Sequence, residues 1–224
     1  MTSDAALVAT GLADKPNRVD QVYEQIIDIL IGGELRPGDV IVERKMADRL
    51  NASRTPVREA LGRLEAERMV LRQPGRGVTV APFSTEAFVE VLNIRQLLEA
   101  EAARLAAGHV PLAMIAEIRA AVQALSQKKD PSPSEIWAVD DLLHGAISEA
   151  AGNETMAGMI RDLRRRTHVF NTFRNPNSFF YRDDHSGTIL DALETGDGAA
   201  AQAAMFTHID TVKIAIVNRL AGVR

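Results

Sequence analysis

Asp140 and His144 stand four residues apart in a stretch of helical periodicity, so a carboxylate and an imidazole share one helix face a turn apart. His185 and His208 lie on two later stretches of similar period. Gathered from three helices, these four side chains would make a donor set suited to Zn, Ni, Mn or Fe(II), and the donor types do not choose among those metals. The plainer alternative is four unrelated side chains, since histidines on amphipathic helices are commonly surface groups or satisfied core residues. The other two of the five histidines, His109 and His168, fall outside the set, one after a helix stop and one in an arginine-rich helix. Arg95 sits on the apolar side of its helix between Ile94 and Leu98, where a guanidinium needs an anion. Glu99, four residues on, would make that need purely structural; a bound carboxylate would make it a binding site. Arg161, Arg164, Arg165 and Arg166 read as a solvated face with at most one member turned inward.

A second chemistry lies between Glu43 and Val80. Met46, Ala47 and Leu50 make an apolar stripe that breaks at Asn51-Ala52, and asparagine enters the left-handed turn conformation more cheaply than most residues. Thr55 before Pro56 is a helix-start signal, a hydroxyl cap followed by proline at the first helical position. Val57, Ala60, Leu61 and Leu64 carry the buried stripe of this second helix. Residues 70–72 and 78–80 read as strands joined by Gln73-Pro74-Gly75-Arg76-Gly77. Helix, turn, helix and two-stranded wing is a winged helix-turn-helix, whose second helix enters a DNA major groove N-terminus first. Arg54 and Arg58 flank that end, with Arg44 one helix earlier, placed for phosphates and guanine edges. Residues 43–80 hold nine Arg and Lys against five Asp and Glu, while the whole chain is net −4. Positive charge is thus concentrated in one module. The alternative is an amphipathic helix pair with a solvated basic face.

The elements that must position both sets follow from the rest of the 224 residues. Aromatic residues are only 4%, so Leu, Ile, Val, Ala and Met must build the core. No run of about 18 uncharged apolar residues is present, which predicts no membrane helix. The start lacks a secretion signal, and there is no cysteine, which excludes disulfides, thiol catalysis and cysteine-bound zinc and suits the cytoplasm. Residues 1–17 read as a loose arm. A helix over 19–31 stops at Gly32-Gly33, and residues 40–42 suit a short strand. After Pro82 long helical periods take over: 84–108, 111–127, 134–151, 154–173, 178–194 and 198–220. The fold class is mainly α. A winged helix-turn-helix domain over 18–82 precedes an antiparallel all-helical bundle over 83–224 with room for its own core and a pocket.

The run Ser53-Arg54-Thr55-Pro56-Val57-Arg58-Glu59-Ala60-Leu61, then Leu64-Glu65 and the Pro74, Gly77, Val80 wing, resembles the GntR family of bacterial transcription regulators over residues 18–82. Ile94-Arg95 with Leu98-Glu99, the Asp140 and His144 pair, Gly152-Asn153, His185 and Met205 with His208 resemble the FCD ligand-binding domain of its FadR-type branch, in the shorter VanR-like version. The resemblance implies Arg44, Arg54, Thr55 and Arg58 on DNA, with Gly75 and Gly77 at the wing near the minor groove. It implies Asp140, His144, His185 and His208 as ligands of a divalent metal, and Arg95 in the pocket of a small organic acid effector. It further implies a homodimer on a palindromic double-stranded operator, acting as a repressor rather than an enzyme. A metal-dependent hydrolase or oxygenase built on the same tetrad is the competing class, and an architectural DNA binder with a structural bundle is a third. Three positions depart from the family pattern: Asn51 and Arg68 stand where glycine is usual, and Leu143 replaces a common aromatic before the histidine.

Overall fold

A computed structural model describes residues 17–82, 84–174 and 185–220, and the arm expected over 1–17 falls almost wholly outside them. Helix α1 (Arg18–Ile31) starts at Asn17, whose side chain accepts from the Val19 amide at 3.3 Å, and ends at Gly32. Strand β1 (Val40–Ile41) leads to α2 (Glu43–Arg49), α3 (Arg54–Ala66), β2 (Val70–Gln73) and β3 (Gly77–Val80). The sheet order is β1-β3-β2, antiparallel, with Ile41 opposite Val78 and Gln73 opposite Gly77. Gly75 and Gly77 have φ of 76° and 77°, which explains glycine at both places: the wing tip turns through left-handed backbone.

Two details of the helix-turn-helix differ from the sequence reading. The cap of α3 is Ser53, not Thr55, and its side chain makes no capping hydrogen bond. Thr55 and Pro56 lie inside the first turn, where a missing amide hydrogen still costs nothing. The second concerns Arg68, which takes a left-handed φ of 59° itself. Its amide bonds Glu65 O at 3.0 Å and the Met69 amide bonds Leu64 O at 2.9 Å, closing α3 as a glycine would. Asn51, at φ 47°, ends α2 in the same way, with the Ala52 amide on Ala47 O at 3.0 Å.

Six further helices follow among the described residues: α4 (Thr85–Ala106), α5 (Leu112–Ser126), α6 (Pro133–Ala150), α7 (Glu154–Arg174), α8 (Ser186–Thr195) and α9 (Gly198–Leu220). The first half of the helix expected over 178–194 lies outside the described residues. Helix α6 begins with a reciprocal cap in which Ser132 and Glu135 satisfy each other's amides, with Pro133 in the first turn. Helices α4 and α9 pack lengthwise and are pinned by Gln96 Nε2, which donates to Phe206 O at 3.0 Å.

Two apolar clusters organise the chain. One holds Tyr23, Ile26, Leu30, Val57, Leu61, Leu64, Met69 and Val80, and the other joins residues of α4 to α9, among them Leu92, Ile118, Ile147, Ile160 and Met205. Leu143 is buried in the second, so its side chain builds core. Val169 of α7 is the exception to this division, because it lies fully buried in the first cluster.

Candidate functional site

The bundle has a buried charged centre. His144 of α6 is 1% exposed, and its Nδ1 lies against Oε2 of Glu99 on α4, in close contact but not aligned as a hydrogen bond. Its Nε2 is buried, has no hydrogen-bond partner, and points to Oδ1 of Asp140 at 3.5 Å. His208 of α9 stands beside it, ring centroid to ring centroid 5.3 Å. One ligand atom each from Asp140, His144 and His208 lie within 4.8 Å of one another. His185, the residue capping α8, sets its ring edge-on to His208 at 6.4 Å. The four expected donors therefore gather from three directions, three close together and the fourth one ring further out.

The remaining partners of the centre were not singled out from sequence. Arg164 of α7 is 4% exposed, and its guanidinium reaches Asp140 Oδ2 at 2.6 Å, Asp141 Oδ1 at 2.8 Å and Glu99 Oε2 at 3.8 Å. His168, one turn later, meets Asp140 Oδ2 at 3.3 Å and stacks on Trp137 at 4.3 Å. Arg164 belongs to the arginine cluster expected to be a solvated face with at most one member turned inward, and His168 to the same arginine-rich helix. Arg161 is exposed as expected, whereas Arg164 is as buried as a core leucine. The available signal was the spacing of Arg164 and His168, four apart with Leu163 and Thr167 beside them. Asp140 divides its oxygens: Oδ1 faces His144 and Oδ2 faces Arg164 and His168 of α7.

Arg95 is buried and donates through Nε to Glu99 Oε1 at 2.6 Å, so the structural partner considered for it is present. Burial by itself would raise the pKa of Glu99, but Arg95, His144 and Arg164 outweigh it and hold the carboxyl below its ordinary range. Asp140 keeps a fifth of its side chain exposed; enclosure by its neighbours would raise its pKa, but Arg164 and then His144 hold it well below the usual carboxylate range. Burial, reinforced by His144, pulls His208 down to about 3, against the pull of Asp140 and Glu99. His208 is therefore a neutral imidazole at neutral pH, the form that ligates metals.

The chemistry of the donors fits a divalent ion. Two carboxylates are ionised, a neutral imidazole stands near them, and the buried Nε2 of His144 makes no hydrogen bond. Glu99 behind Nδ1 is the carboxylate support that commonly orients a ligating imidazole.

At the other end of the molecule, Arg54 and Arg58 project from the start of α3 with side chains 63% and 60% exposed. Glu43, at the start of α2, gathers them, at 3.0 Å from Arg58, 3.8 Å from Arg54 and 4.0 Å from Arg72 of β2. The hydrogen bond from Arg58 holds the Glu43 carboxyl below its ordinary range. Arg44 and Thr55 are exposed on the same two helices, and Gly75 and Gly77 are exposed in the wing. This is a convex basic surface built on a helix N-terminus and a hairpin, and it suits a duplex groove.

A winged helix-turn-helix joined to a helical bundle is the plan of a DNA-binding transcription regulator. Residues 18–80 match the family model described as bacterial regulatory proteins, gntR family, and residues 90–211 match the FCD domain. The chain belongs to the GntR family of transcription regulators, in the branch that carries an FCD domain. It is 31% identical over 223 residues to the Uxu operon transcriptional regulator of Escherichia coli (strain K12), covering 86% of this chain and 84% of that one. It is 28% identical over 205 residues to the HTH-type transcriptional regulator LutR of Bacillus subtilis (strain 168), covering 81% and 93%. Among solved structures, E. coli McbR/YncC superposes with a TM-score of 0.76 at 25% identity, covering 92% of this chain and all of that one. The family and these relatives are transcriptional regulators, not enzymes, which removes the hydrolase or oxygenase alternative. Among the described residues no helix is long and apolar enough to cross a membrane.

Proposed function

We propose that this regulator binds a palindromic operator as a homodimer, and that a small organic acid held at a divalent metal ion in the bundle releases it. Residues 18–82 are the DNA-binding domain, and residues 83–224 bind metal and effector and form the dimer; the setting is the cytoplasm. Exposed Ile94 and Leu97 on α4, with Phe206 and Ile214 on α9, offer apolar surface for a second copy. Two-fold symmetry then asks for two matching half-sites. Arg44, Arg54, Thr55 and Arg58 contact the major groove and its phosphates, and Gly75 and Gly77 let the wing backbone approach the minor groove.

The observation that carries the sensor half is the unpartnered, buried Nε2 of His144 beside Asp140 and His208. Asp140 Oδ1, His144, His208 and His185 would hold the ion, and Glu99 would orient His144. When bound, a divalent ion supplies an electrophilic centre for the effector's carboxylate. Arg95 meets Glu99 through Nε, and its terminal nitrogens would take the carboxylate of the effector. Effector binding shifts the DNA-competent population only by its differential affinity for two arrangements of the molecule.

Calorimetry with Zn²⁺ and with Ni²⁺, on full-length protein made without a histidine tag, tests the site. Stoichiometric binding is expected in wild type, and a large loss of affinity in His144→Ala and His208→Ala. Absence of binding, or equal binding in the variants, refutes the metal. A thermal-shift screen of small organic acids with and without chelator then tests the effector class.

A further inference from the structure

Helix α7 touches both working ends of the molecule with different edges. Arg164 and His168, four apart, form the edge turned into the charged centre, where both meet Asp140 Oδ2. Arg165 and Val169 come one position later, so their edge is rotated by about 100° around the axis. That edge faces the DNA-binding unit. Arg165 pairs with Glu24 of α1 and lies 5.3 Å over the Tyr23 ring. Tyr23 in turn donates to Glu67 at the end of α3 at 2.5 Å. Val169 completes the amino-terminal core among residues of α1 and α3. By contrast α4, the helix that follows the wing in sequence and carries Arg95, places Phe88, Leu92, Ala102, Ala103 and Ala106 in the bundle cluster and no residue in the amino-terminal one.

We propose that α7 is the coupling element between the charged centre and the DNA-binding domain, with Arg164 and His168 reading the state of Asp140 and Arg165 and Val169 setting the position of α1 and α3. The proposal rests on the regulator reading above. Anything that draws Asp140 toward the histidines competes with Arg164 for the same carboxylate. Arg164 has no solvent to retreat into, and an unpaired buried guanidinium is costly, so the helix moves with it. The motion reaches α3 through Val169 and through the Arg165, Tyr23 and Glu67 contacts. Coupling of this kind is reciprocal: DNA on α3 must be felt at the charged centre.

The chain carries its own reporter, because its single tryptophan, Trp137, stacks on His168. Full-length protein is titrated with duplexes it has itself selected from a random pool, and Trp137 emission is followed with excitation at 295 nm. In wild type the emission should change in step with complex formation. Glu24→Gln, a half-exposed site, and Val169→Ala should leave a folded protein that binds the duplex with the emission change lost; circular dichroism checks the fold. Duplex affinity is also measured with Zn²⁺ and with chelator. The ratio should be about fivefold or more in wild type and fall to within about twofold in Glu24→Gln. A wild-type complex with unchanged Trp137 emission, or variants that keep the full change, overturns the coupling. If Zn²⁺ does not bind, the metal reading fails separately, and the emission response to DNA still decides the role of α7.

Discussion

Two carboxylates, Glu43 and Asp140, are about equally exposed and each draws three nitrogen-bearing side chains around itself, but those partners sit in opposite surroundings. Around Glu43 the partners Arg54, Arg58 and Arg72 project into water, and only Arg58 is within ordinary hydrogen-bonding distance. Around Asp140 the partners Arg164, His168 and His144 are all buried. In water a pair of this kind is worth at most about 1 kcal/mol, and its members remain free to leave it. In the interior each partner is committed, because an unpaired charge there costs several kcal/mol. The lesson is about use. The Glu43 cluster can release its arginines to phosphates cheaply, which suits the DNA-reading role proposed for it. The Asp140 cluster can change state only if something of equal charge replaces what leaves, which suits the sensing role proposed for it.

The comparison can be broken at its strongest point first. Arg164→Met should destabilise the protein by about 3–5 kcal/mol, read by urea denaturation, because it removes the buried guanidinium that reaches Asp140, Asp141 and Glu99 together. Glu43→Gln should cost less than about 1 kcal/mol in the same experiment. Equal costs would show that burial does not separate the two clusters. The next largest effect concerns binding. Arg58→Ala should lose about 1–3 kcal/mol of operator affinity if it holds a guanine edge, with little change in stability. A titration unaffected by Arg58→Ala together with Arg54→Ala would remove both from the interface.

A smaller effect sharpens the local contrast at the end of α3. Arg68→Gly relieves a side chain held in left-handed backbone and should raise stability by about 0.5–1 kcal/mol. A loss there would mean that the Arg68 side chain contributes more than its backbone costs. The smallest effect is at the cap of α6. Hydrogen bonds from Lys128 and from Ser132 hold Glu135 down to about 2, below its ordinary 4.5. A carboxyl depressed on folding stabilises fully above its unfolded value, and that contribution disappears as pH falls from about 4.5 toward 2. Denaturation of wild type and Glu135→Gln should therefore differ most at pH 6, differ less at pH 3, and converge only below about pH 2.

Much of this architecture was legible before any coordinates. Periodicity and caps located the helices of the bundle to within a residue or two wherever they are described, since apolar spacing and turn chemistry are local properties. The wing strands and the left-handed turn at Asn51 were readable for the same reason. Asp140 with His144 was visible as a pair because a helix fixes the spacing of neighbours four apart. Thr55 was mistaken for the cap of α3 because Ser53 and Thr55 offer the same hydroxyl, and only the path of the backbone distinguishes them.

Burial of Arg164 was not readable, because nothing along the chain says which side of an arginine-rich helix meets three carboxylates from α4 and α6. The same holds for Val169, whose place in the amino-terminal core depends on how two units dock. Local spacing dictates what faces what within one helix. Which distant charges a helix must neutralise is a question of packing in three dimensions, where the dielectric surroundings of a group are set by chain segments far from it in sequence.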